Sequence, residues 1–229
     1  MGIMIKAPVI TFFLLLMTPS IIGGGFMMEK NVSFSAIDAL HLNKHDRKFV
    51  QTYLLENRMI FSAIRKHDGS RFIITDAVFN QFELPLQLKY LAVIESDLKS
   101  DAVSRVGAVG PWQLMPETAR LLGLKVTGDR DERTQFDKST RAAARYLKDL
   151  YAEYGDWLLV LAAYNGGEGP VNHAIRKSGS RNFWLLQNYL PSESRGHVKK
   201  FLATLLYFEG PSQAASFTGT AAPYPVRSV

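Results

Sequence analysis

Residues Leu84 to Ala119 read LPLQLKYLAVIESDLKSDAVSRVGAVGPWQLMPETA. Pro85 suits the first turn of a helix, where its missing N–H is no loss, and Leu88, Leu91, Ala92 and Glu95 then recur at helical spacing. Glu95 thus takes a place where a core leucine is expected. Asp97, about 200° further round a helix, points away and is expected to be solvated. The glycines of the following loop, Gly107 and Gly110, let backbone approach a ligand closely, and Trp112 offers an apolar plate of the kind on which sugar rings stack. Pro116 opens a further helix that Gly123 stops, so the loop is held at both ends.

A carboxyl pressed against Leu88, Leu91 and Ala92 loses hydration in its charged form. Its pKa is therefore expected to rise, and a proton retained near neutral pH is what a general acid needs. From helix position alone, however, a structural Glu paired or capped elsewhere is the better explanation.

The chain has 229 residues, 47% hydrophobic and 21% charged, an ordinary globular composition large enough for one good core. A net charge of +6 suits an anionic partner, yet the basic residues are scattered and no DNA or RNA motif is present, so nucleic-acid binding is not expected. With no cysteine, disulfides, thiol catalysis and thiolate metal sites are excluded. His41 and His45 have helical metal-ligand spacing but no third ligand nearby, and an ordinary surface pair is expected.

At the N-terminus, Lys6 precedes an apolar run from Val9 to Met17, followed by Thr18-Pro19-Ser20 and Gly23-Gly24-Gly25. This is the layout of a secretory signal, too short for a comfortable membrane span. Residues 1–25 are thus expected to export the chain to the periplasm or cell envelope, either cleaved or kept as a membrane tether.

Residues 26–81 are expected to form an N-terminal helical extension, with Phe49, Val50, Tyr53, Leu54, Phe61 and Ile64 on one face and a short helix from Thr75 to Phe82. Beyond the loop, DRDER in the connector from Gly128 to Thr134 reads as solvated, and Asp137 is placed to cap a helix from Lys138 to Tyr154. Asp156 caps a second one, hydrophobic nearly all round and so central, that ends at Tyr164-Asn165-Gly166-Gly167. Taken singly, Tyr164 reads as a core aromatic and Asn165-Gly166 as turn chemistry. Helices follow over 170–177, 182–189 and 192–208, the last opened by Ser192-Glu193 as a capping pair, and residues 209–229 read as a loose tail. No segment has strand periodicity, so the fold class is all-α.

Four stretches in order now carry a resemblance: IES at Ile94 to Ser96, SRVGAVGPWQLMPETA from Ser104 to Ala119, LAAYNGGEG from Leu161 to Gly169, and LPSESRGHVKKFLA from Leu190 to Ala203. Together they resemble the lysozyme-like lytic transglycosylases with the soluble-transglycosylase (SLT) type of catalytic domain, most of all the membrane-bound type D subgroup. The likeness covers residues 82–208 and implies a goose-type, lysozyme-like helical domain with a glycan cleft. It implies that Glu95 is the single catalytic acid. Ser104, Gln113, Tyr164, Asn165 and Glu193 match substrate-binding or site-completing positions. This sequence departs from the family pattern at Val109, at Pro111, at Gly166 in place of the usual Ala, a mild change, and at His197 in place of the usual Tyr.

The implied reaction cleaves the bond between N-acetylmuramic acid and N-acetylglucosamine in peptidoglycan without water, leaving a 1,6-anhydromuramoyl end. One carboxyl suffices, because the substrate's own C6 hydroxyl replaces the water that a hydrolase activates with a second carboxylate. No metal or organic cofactor is expected, and the chain is expected to act as a monomer on glycan strands. Two alternatives stay open at this point: a goose-type-lysozyme-like muramidase, and an inactive module that binds peptidoglycan.

Overall fold

The computed structural model describes residues 34–218 except 39 and 41. The export segment at 1–25, His41 and residues 219–229 lie outside the described residues. Among the described residues there are eleven α-helices, three 3-10 helices and only isolated β-bridges, so the fold is all-α.

Helices α1 (Phe34–Asp38), α2 (Lys44–His67) and α3 (Gly69–Gln81) come first. Asn43 starts α2 by accepting the N–H of Asp46 at 2.9 Å, and Val50, Leu54, Phe61 and Ile64 form its buried face. Helix α3 begins at Gly69, earlier than Thr75, because α2 hands over at Asp68, whose carboxylate also takes Arg71 at 2.6 Å.

The helix expected around Glu95 is split. A 3-10 turn, Leu86–Lys89, follows Pro85, which stands just outside it, and α4 (Tyr90–Ser96) continues. Asp97 and Leu98 then adopt left-handed backbone with φ of 55° and 64°. The helical arc that would place Asp97 in solvent therefore stops short of it. Its carboxylate is 18% exposed and paired with Lys99 at 3.1 Å.

Helix α5 (Pro116–Leu121) and a 3-10 turn (Glu132–Thr134) lead into α6 (Phe136–Tyr154). That helix starts at Gln135 without a side-chain cap, so Asp137 lies inside its first turn and pairs with Arg141 at 3.3 Å instead. Helix α7 (Trp157–Gly166) is capped as expected: Asp156 accepts from the N–H groups of Leu158 and Leu159 at 2.8 and 3.0 Å. Its residues from Leu158 to Ala163 are all buried, which explains its uniformly apolar character. Around it stand α6, α8 (Glu168–Ser178) and α10 (Ser192–Glu209), with α9 (Phe183–Leu186) and a last 3-10 turn (Gln187–Tyr189) between the latter two.

Helix α10 is the second organiser, packing against α2, α4, α7 and α11 (Pro211–Thr218). Its start is not the expected capping pair: Pro191 precedes the helix and Ser192 is already its first residue. Lys199 of α10 forms a buried ion pair with Asp46 of α2. Removing either partner would strand a buried charge, a loss of about 3–5 kcal/mol. Helices α2 and α10 thus belong to one hydrophobic core with the rest.

The expectation of a loose tail from 209 needs correction over its first part. Ala214 and Phe217 of α11 are buried, and the Phe217 ring meets Phe201 at 5.1 Å.

Candidate active site

Glu95, Gln113, Leu114, Met115, Thr118, Tyr146, Tyr164 and Asn165 line one pocket. Four of the six residues expected from the sequence meet there, carried by α4, the glycine-rich loop and the C-terminal end of α7. Ser104 and Glu193 are not in that lining.

Loop geometry explains how Gln113 arrives. Short bridges pair Val103 with Val109 and Val109 with Leu114, and Gly110 N–H donates to Ala102 O at 2.8 Å. Gly110 has φ of +82°, and a Cβ there would lie 2.0 Å from the carbonyl oxygen of Arg133. Gln113 itself has φ of 47°. Its amide nitrogen donates to Gly110 O at 2.8 Å and Ala102 O at 3.2 Å, so what it can offer the pocket is its carbonyl oxygen. Ser104 serves the same loop from behind: its hydroxyl accepts the N–H of Ala108 at 2.9 Å.

Arg133 was hidden in the connector that reads as solvated. It is buried, 5% exposed, and its guanidinium donates to Gly107 O at 2.8 Å and Leu114 O at 2.9 Å, with Asp131 as counter-ion. Glu132 is also buried, against Lys138 at 2.6 Å. Polar spacing in the sequence looked like a surface loop because the groups that the Arg133 guanidinium satisfies are backbone carbonyls 19 and 26 residues away in the chain.

Trp112 also departs from expectation. It is fully buried against Phe79 at a ring separation of 5.7 Å, and its indole N–H donates to Thr140 at 2.9 Å. It is a core residue and offers no face to a sugar. Its carbonyl nevertheless matters, since it accepts the Tyr164 hydroxyl at 2.7 Å and so ties α7 to the loop. On the other side, Ser96 donates to Pro111 O at 2.9 Å and ties in α4.

Asn165 accepts from Ser194 at 3.1 Å. Gly166 makes that contact fit, because a Cβ there would meet the Ser194 hydroxyl at 2.3 Å. The change from the family's usual Ala is therefore not mild here: an alanine would push Ser194 off Asn165.

Electrostatics single out Glu95. Burial is the main cause that raises its pKa from the ordinary 4.5 to about 8, with the charge of Glu193 adding and that of Lys200 opposing. Glu193 therefore acts on the acid through its field. Tyr164 is raised well above the usual phenol range by burial and then by Glu95, and remains a neutral donor. Tyr146 of α6 also lines the pocket, beside Tyr164 at a ring separation of 5.3 Å. In the sequence it shares an apolar stripe with Ala143, Leu147, Leu150 and a second phenol, Tyr154, and nothing in that spacing marks it as a pocket residue. His197 of α10 lies 3.5 Å from Glu95, Nε2 to Oε1, with both side chains buried. The site can hold one proton on a carboxyl near neutral pH beside neutral polar groups, an arrangement suited to general acid chemistry.

Among the described residues, no group of three or more His, Asp or Glu side chains could hold a metal ion, and His45 is exposed beside Asp46. No helix among them is long and apolar enough to cross a membrane.

Residues 79–187 match the family model described as "Transglycosylase SLT domain". Membrane-bound lytic murein transglycosylase D of Escherichia coli is 35% identical over 166 residues, which are 70% of this chain and 36% of that protein. The chain thus spans little more than a third of the curated relative's length. Among solved structures, an inactive mutant of lytic transglycosylase Slt from Pseudomonas aeruginosa is similar with a TM-score of 0.55 and 25% identity, over 66% of this chain and 26% of that one. The 70 kDa soluble lytic transglycosylase of Escherichia coli shares the fold, with a TM-score of 0.54 and 21% identity over 77% of this chain and 33% of its own. The helical architecture, the matched domain and the similar relatives agree: residues 79–187 of this chain are a transglycosylase SLT domain.

Proposed function

We propose that the protein is a peptidoglycan lytic transglycosylase that cleaves the β-1,4 bond between N-acetylmuramic acid and N-acetylglucosamine and leaves a 1,6-anhydromuramoyl end. The observation that carries this is the pocket's single acidic lining residue, Glu95, held with a pKa near 8. A hydrolase of the common kind requires two carboxyl groups across the scissile bond. Here one carboxyl acts twice. Its proton passes to the bridging oxygen as the C1–O bond breaks, with the muramic N-acetyl group stabilising the cation. The C6 hydroxyl of the same sugar then attacks C1 and returns its proton to Glu95.

In this proposal Tyr164 and Asn165 hold the acid and the sugar from one wall, and Gln113 presents its carbonyl oxygen from the other. Glu193 raises the acid's pKa, and Ser104 shapes the loop. The catalytic unit runs over residues 82–208 and residues 26–81 are its N-terminal extension, of which α2 packs on α10 and α3 on α6. The chain acts as a monomer in the cell envelope, delivered by residues 1–25, and the name of its Escherichia coli relative favours a membrane association.

Digestion of purified peptidoglycan, with mass spectrometry of the released fragments, tests the reaction. Wild type should give ends lighter by one water than reducing ends, with a rate that declines above about pH 8 as Glu95 ionises. Glu95→Gln should release none. Reducing ends would instead mark a muramidase, and full turnover by the Gln variant would remove Glu95 from the mechanism.

A further inference from the structure

His197 and Glu95 sit on different helices, α10 and α4, and both are buried. The Nε2 of His197 has no hydrogen-bond partner, and it faces Oε1 of Glu95 at 3.5 Å. A buried polar nitrogen without a partner leaves its desolvation uncompensated, so the pair has a reason to close. An N–H···O bond needs 2.7–3.2 Å, a few tenths of an ångström less than the present gap.

We propose that His197 is a positioning residue for Glu95: its Nε2–H donates to Oε1, which fixes the carboxyl's orientation and leaves Oε2 to give up and take back the proton. This deepens the proposed function and rests on it, since Glu95 must be the acid. One tautomer of the imidazole serves both halves of the reaction. While Glu95 is a carboxylic acid, Oε1 is its carbonyl oxygen and accepts the N–H. Once Oε2 has given its proton to the leaving oxygen, Oε1 belongs to a carboxylate and accepts the same N–H more strongly. When the C6 hydroxyl returns a proton to Oε2, the first state is restored, and His197 has neither gained nor lost one.

Neutral imidazole is required for this, and the surroundings supply it. Burial, and after it the positive charge of Lys200, push His197 down to about 3. From α10, Glu193 and Lys200 act on Glu95 with opposite signs. Tyr164 of α7 and Tyr53 of α2 both feel the charge of Glu95, and Tyr53 also that of Asp97 after α4. Both phenols, like that of Tyr146 on α6, are held above the usual range by burial and stay uncharged. Among the described residues, the charges named as acting on the pair are thus those of Glu193 and Lys200.

Two substitutions separate positioning from mere filling of space. His197→Phe keeps a ring and removes the N–H, while His197→Gln keeps an amide N–H close to the place of Nε2. With Phe, the titration of Glu95 should rise by about one pH unit, the size of one hydrogen bond to a charged group. The kcat for anhydro-end release should fall about tenfold, with KM little changed, and Gln should recover most of both effects. Titration of 13C-labelled glutamate by NMR, with Glu95→Gln identifying the signal, reads the shift without any turnover. A failure of the wild type to make anhydro ends would therefore end the proposed reaction while leaving the role of His197 decidable. In the wild type, ring 15N shifts at pH 7 should show the proton on Nε2. A proton on Nδ1, or a folded Phe variant with unchanged Glu95 titration and kcat, would overturn the inference.

Discussion

Replacing Glu95 by Gln should stabilise the protein at alkaline pH and leave its stability nearly unchanged in acid. The folded-state pKa of about 8 stands above the ordinary 4.5, chiefly because burial disfavours the charged form. Between those two values the folded chain holds a proton that the unfolded chain has lost, so stability falls as pH rises through the window. Below pH 4.5 both states are protonated and no penalty exists; above pH 8 both are ionised and the whole penalty applies. The interval corresponds to roughly 5 kcal/mol, and water drawn into the pocket on ionisation relieves part of it. Gln has nearly the same shape without the charge, so a gain of about 2–5 kcal/mol is expected at pH 9. In a domain of this size that is a rise in Tm of about 5–15 °C. Thermal and urea unfolding of wild type and Glu95→Gln from pH 4 to 9 makes the measurement. A difference that stays constant across that range, or a Gln variant less stable at pH 9, would refute the buried-acid argument.

Two further substitutions test the walls around the acid. Gly110→Ala should lower stability by about 3 kcal/mol or more, because its φ of +82° is strained for alanine and the new Cβ meets the Arg133 carbonyl at 2.0 Å; an unchanged denaturation midpoint would contradict the loop geometry. Trp112→Phe should cost about 1–3 kcal/mol through the lost bond to Thr140 and leave KM for glycan strands unchanged. A raised KM with stability intact would instead put the indole in contact with sugar.

Much of the architecture was legible because its causes are local. The cap of α7 by Asp156, the apolar face of α2 and the glycine stop at Gly123 depend on residues within a turn or two of each other. Where local rules had rivals, the boundaries moved. Asp137 and Ser192 are good capping residues, yet each lies inside a helix that the preceding backbone had already begun. Arg133 and Trp112 were misjudged for a related reason. Whether a guanidinium is solvated or an indole is exposed depends on what packs over it, and periodicity carries no record of that.

By itself, then, the sequence determined the all-α class, the central place of α7 and the position of an acid on an apolar helix face, since each follows from spacing along one element. Motif resemblance supplied Gln113, Tyr164 and Asn165 as its companions. Only the tertiary structure decided that these four share one pocket, that Ser104 braces the loop behind it, and that Glu193 acts through its charge. It alone set the His197 ring beside Glu95 at 3.5 Å. A pKa and a hydrogen bond are properties of what surrounds a group, and the surroundings of Glu95 are assembled by helices that meet only when the core closes.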